Sequence, residues 1–125
     1  MEKFGKFLEE LGKDEYELDG FLRLFVKDVK TLKRILIKII DSFEEVEFAY
    51  KNDEKEIDLE VSNKHFIKNF IKGMTKKYFG KKVLTAITSS NLYVNTHGND
   101  IVISNRTSDE NVEKIIEIWK NEQNA

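Results

Sequence analysis

The order of periodic segments in this chain predicts an α+β fold. Three observations carry that expectation. Apolar and polar residues alternate over about 21–27, 45–51, 55–61 and 82–88, the signature of half-buried strands. Apolar residues recur at three- and four-residue spacing between the first pair and between the last pair, the signature of amphipathic helices. Residues 21–88 therefore read β-α-β-β-α-β, the order of a ferredoxin-like, split βαβ sheet with both helices on one face.

Each element has a local reason. Phe4, Phe7, Leu8 and Leu11 place a short amphipathic helix over residues 2–11, stopped by Gly12. Residues 13–20 read as a polar connector ending in Asp19-Gly20. Leu22, Leu24 and Val26 alternate with Phe21, Arg23, Phe25 and Lys27 in the first strand. Asp28 is placed to cap a helix from Val29 to about Phe43, buried through Leu32, Ile35, Leu36, Ile39 and Phe43. Asn52-Asp53 joins the next two strands. Ser62 or Asn63 caps a helix whose apolar side is Phe66, Ile67, Phe70, Ile71, Met74 and Tyr78, and which Gly80 ends. After the strand at 82–88, residues 92–96 and 101–105 form an added hairpin across His97-Gly98-Asn99-Asp100. Thr107-x-x-Glu110 reads as a capping box opening a last helix through Val112, Ile115, Ile116 and Trp119.

At 125 residues the chain is read as one domain over residues 1–125, with residues 1–20 as helix and connector and 21–125 as core. Hydrophobic residues make up 40% of it, enough to fill a core. The absence of cysteine excludes disulfides, thiolate catalysis and cysteine zinc sites. No apolar run has the length of a bilayer span, so a cytoplasmic protein without membrane partners is expected.

Charge is more informative than composition. The net charge is −2, yet it is laid out in blocks of −4 (1–20), +5 (21–38), −7 (39–60), +7 (61–99) and −3 (100–125). Residues 61–99 contain no acid and seven lysines. Lys64, Lys68, Lys72 and Lys76 recur every four residues, which on one continuous helix forms a cationic ridge with about 6 Å between successive turns. Lys30, Arg34 and Lys38 lie opposite the buried face of the preceding helix, so the two basic faces are expected to merge. A ridge of that kind suits the phosphates of DNA or RNA. The plain alternative is a solvated helix face.

The acids follow the strand period. Glu45 and Glu47, then Glu54, Glu56, Asp58 and Glu60, alternate with apolar residues and are expected on one outer sheet surface. That surface, with Phe4 and Phe7 of the first helix, is the alternative site, for a basic or acidic protein partner or for a second copy of the chain. Catalysis has no signature: His65 and His97 are isolated, and no phosphate loop or nucleophile motif is present. Neither a cofactor nor a metal is expected. The sequence thus predicts a non-enzymatic binding protein.

Overall fold

The computed structural model describes residues 16–18, 21–80 and 82–125. Seven strands among them form one antiparallel sheet: β1 (Tyr16–Leu18), β2 (Phe21–Leu24), β3 (Glu47–Asn52), β4 (Ile57–Val61), β5 (Val83–Ser89), β6 (Leu92–His97) and β7 (Asp100–Ser104). Their order across the sheet is β1-β2-β7-β6-β5-β3-β4. Three helices, α1 (Val29–Ser42), α2 (Lys64–Gly73) and α3 (Asp109–Gln123), complete an α+β architecture. The expected helix at 2–11, with Phe4 and Phe7, lies outside the described residues.

The strand period sorts the sheet into two faces. On the covered face a row of paired residues runs Leu22, Ile103, Val94, Ile87, Phe48, Val61. These join Leu32, Ile35, Ile39, Ile67, Ile71, Val112 and Ile115 of the helices in one hydrophobic cluster. Each such aliphatic side chain withdrawn from water contributes about 1.5–3 kcal/mol. The adjacent row on the opposite face reads Arg23, Val102, Asn95, Ala86, Ala49, Glu60, and no helix among the described residues packs there.

The strand order departs from the expected split βαβ arrangement. In that arrangement the first strand lies inside the sheet between the later ones. Here β2 pairs with β1 and β7, and β6–β7 is inserted between β2 and β5 instead of being appended outside. Local turns account for this. Ser89 pairs with Leu92 and His97 with Asp100, so β5, β6 and β7 form a meander through two two-residue turns. Asn91 (φ 58°) and Gly98 (φ 61°) supply the left-handed backbone that those turns require. Closing such short loops costs less chain entropy than closing a long crossover. Likewise, the expected connector at 13–20 contains β1, paired to β2 from Tyr16↔Arg23 to Leu18↔Phe21.

Two helix limits also shift. The Asp28 carboxylate accepts from the Thr31 amide at 2.7 Å and Asn63 from the Phe66 amide at 2.9 Å, so both expected caps form. However, α2 stops at Gly73 and not at Gly80. Glycine there weakens the helix, and Lys76–Phe79 turns as a short 3-10 segment that buries Phe79 while Met74 is buried just ahead of it. At the last helix the cap is Ser108, which accepts from the Asn111 amide at 3.3 Å. Thr107, expected in that role, is fully buried and clamps β6. Its hydroxyl accepts from the Tyr93 amide at 3.0 Å and donates to the Tyr93 carbonyl at 3.2 Å.

Candidate nucleic-acid interface

α1 lies between α2 and α3, and α1 and α2 run alongside each other as three lysine contacts show. Near the end of α1, the Lys64 ammonium donates to the Phe43 carbonyl. One turn along α2, the Lys68 ammonium lies 2.8 Å from the Asp41 carboxylate. At the other end, the Lys33 ammonium donates to the carbonyls of Lys72 at 2.6 Å and Met74 at 2.9 Å. Those carbonyls belong to the end of α2, where a cation also complements the helix dipole.

The ridge is therefore divided. Lys64 and Lys68 are half-buried and engaged with α1, whereas Lys72 is exposed. Lys76 is off the helix altogether, in the 3-10 segment, because α2 has already ended. On α1 the three basic residues also part. Arg34 and Lys38 turn toward α3, where Glu122 holds them at 3.9 Å and 3.0 Å with its own side chain almost wholly buried. Lys30 stays exposed.

What remains is a cluster at one end of the helix layer. Lys30 sits one turn before Lys33 on α1, Lys33 reaches the end of α2, and Lys72, Lys76 and Lys77 follow there. No ion pair among the described residues joins Lys30, Lys72, Lys76 or Lys77 to a carboxylate. Asp28, the acid beside Lys30 in the chain, is committed to capping α1. Its hydrogen bonds with Thr31 hold its carboxyl below the ordinary aspartate value, with Lys27 and Arg34 helping. The β3–β4 turn reaches the same end through Lys55, whose ammonium lies 5.2 Å from the centre of the Tyr78 ring, and its Asp53 faces Lys51 at 3.9 Å.

The opposite end of the layer has the reverse character. An open cleft of about 610 Å³ is lined there by Glu44, Glu45, Glu47, Ser62, Lys64 and Thr88 among others. Three carboxylates at its rim repel phosphate. No histidine lines it. Among the described residues no group of three histidine or acidic side chains has the placement of a metal site.

The predicted acidic surface is also partly dispersed. Glu47, Asp58 and Glu60 stand on the outer face of β3 and β4, where Asp58 is opposite Lys51 and Glu60 opposite Ala49. Glu45 precedes β3 at the cleft, and Glu54 and Glu56 belong to the turn, Glu56 with φ 54°. The strand period missed this because the turn consumes residues 53–56. Lys33, Lys77, Asp41 and Glu122 were missed as well. Their roles depend on which helices adjoin, a fact absent from the spacing within any one helix.

Compared with protein-family models, with curated proteins and with solved structures, the chain matches none. No helix among the described residues is long and apolar enough to cross a membrane.

Proposed function

We propose that this protein binds nucleic-acid phosphates, without reading base sequence, through the lysines gathered where α1 begins and α2 ends. The observation that carries the reading is that Lys30, Lys72, Lys76 and Lys77 are exposed with no carboxylate partner among the described residues, while Lys64, Lys68, Arg34 and Lys38 are engaged within the fold. Four unpaired ammonium groups lose little by exchanging water for phosphate, and each contact releases a counterion. Lys64, Lys68, Arg34 and Lys38 contribute to the potential and to the scaffold, not to direct contact. The acidic cleft at the far end sets the direction in which a strand is accepted, away from Glu44 and Glu45.

Fluorescence anisotropy with labelled single- and double-stranded DNA and RNA, from low to physiological salt, tests this. Affinity falling linearly on a log–log plot, with a slope of about −3 to −4 on duplex DNA, is the expected result for four lysines. Absence of binding at low salt would reduce the cluster to a solvated surface.

A further inference from the structure

The open edge of the sheet at β4 supplies an inference independent of the lysine cluster. β4 is the last strand in the order and, among the described residues, has a neighbour, β3, on one side only. Its backbone donors and acceptors on the other side form a template for another strand. Two further features define what that strand must be.

The first is an apolar layer that overhangs the edge. Ile57, Leu59 and Val61 face the helix side of the sheet yet remain only half-buried, as no strand among the described residues lies beyond them. Above them, Phe70 packs edge-on against Phe48 and Tyr50, at 5.8 Å and 5.2 Å between ring centres. Phe66, one turn earlier, stacks on Phe70 at 6.4 Å and is 46% exposed. On the helical wheel Phe66 and Phe70 occupy the flank of α2 opposite Lys64 and Lys68, which face α1. They therefore overhang the β4 side.

The second is charge. Asp58 and Glu60 point to the outer face of β4, and neither is in an ion pair among the described residues, because Lys51 opposite Asp58 turns to Asp53. A second copy pairing through β4 would set these carboxylates against themselves. Acids along β4 therefore oppose its pairing with the same strand of a second copy.

We infer that the β4 edge receives an extended segment of a different protein in which apolar and basic residues alternate. Its main chain adds an eighth strand of about five residues, matching the length of β4. Its apolar side chains extend the layer of Ile57, Leu59 and Val61 beneath Phe66. Its lysines or arginines, displayed on the other face, sit beside Asp58 and Glu60.

The probe is a labelled heptapeptide alternating valine with lysine, compared with a peptide of the same composition carrying its lysines in one block and with a valine–glutamate alternation. The full chain should bind the alternating lysine peptide, the block peptide at least about tenfold more weakly and the glutamate peptide not measurably. Amides of β4 should gain hydrogen-exchange protection on binding. Asp58→Lys with Glu60→Lys should reverse the preference toward the glutamate peptide, and Phe66→Ser should weaken binding by about tenfold. All three positions are exposed, and unchanged thermal unfolding verifies the fold. Equal affinity for block and alternating peptides would show that charge alone is read and would overturn the inference. So would no binding, or protection appearing outside β4. Salt-resistant dimers of the unmodified chain protected along β4 would assign the edge to a second copy instead.

Discussion

The Lys68 ammonium of α2 lies 2.8 Å from the Asp41 carboxylate of α1, so one lysine of a segment with no acid of its own is neutralised by the neighbouring helix. The relationship changes how the acid-free stretch at 61–99 is understood. Its lysines are not equivalent: Lys64 and Lys68 are engaged with α1, whereas Lys72, Lys76 and Lys77 have no carboxylate partner among the described residues.

Relieving that neutralisation should strengthen binding. Asp41→Asn frees Lys68, and Glu122→Gln frees Arg34 and Lys38. Each substitution should raise DNA affinity at low salt several-fold and steepen the salt dependence by up to about one unit per freed charge. The stability cost should be about 0.5–1 kcal/mol for Glu122→Gln, measured by urea unfolding. Unchanged affinity in both variants would place the contact surface away from α1 and α2.

The start of α3 allows a direct comparison of two hydroxyls. Thr107→Val removes a buried hydroxyl that both accepts from and donates to the Tyr93 backbone, leaving that amide without its partner. A loss of about 1–3 kcal/mol is expected. Ser108→Ala removes the cap and should cost about 1 kcal/mol. Chemical denaturation of the pair reports both, and Thr107→Val should be the more damaging.

Acid should weaken the start of α1. The hydrogen bonds with Thr31 hold the Asp28 carboxyl below its ordinary value. The folded state therefore favours the ionised form, and the contribution is complete above the unfolded aspartate value of 3.8. It is lost as pH falls through the depressed folded value. Asp28→Asn keeps a capping oxygen without the titration, so its stability between pH 5 and pH 2 should fall less steeply than that of the unmodified chain.

Alkali should act through Tyr50. The side chain is fully buried, and that burial is the main reason its phenol titrates above the ordinary value of 10.0. Its hydroxyl donates to the Tyr78 carbonyl at 2.9 Å. Folding therefore favours the protonated form, and stability should decline once pH rises above the unfolded value of about 10. Ultraviolet titration should find one tyrosine ionising late, and Tyr50→Phe should remove that step and flatten the alkaline decline.

The elements were legible where periodicity and caps act locally. The alternation around Leu22 and Leu24, the caps at Asp28 and Asn63, and the buried stripe of α1 all follow from side chains within a few residues of one another. Three features escaped, two because they are settled at a distance and one because a single glycine ends a helix early. The place of β6–β7 inside the sheet depends on strand pairing across the whole chain. Thr107 has the spacing of a capping box, but a buried bond to Tyr93 claims it first. The lysine ridge assumed that the helix continues to Gly80, whereas Gly73 ends it and Lys76 leaves the row. The candidate site was consequently half legible. Its charge was plain in residues 61–99, but which lysines remain unpaired depended on Asp41 and on the packing of α1.

The most direct test compares two double variants in one DNA-binding titration at low salt. Lys72→Glu with Lys76→Glu reverses charges left unpaired, and Lys64→Gln with Lys68→Gln neutralises charges already engaged with α1. The account predicts that the first pair abolishes binding and its salt dependence, while the second changes affinity by no more than about threefold, with the thermal unfolding of both recorded. Binding that survives the first pair, or that is lost equally with the second, would contradict it.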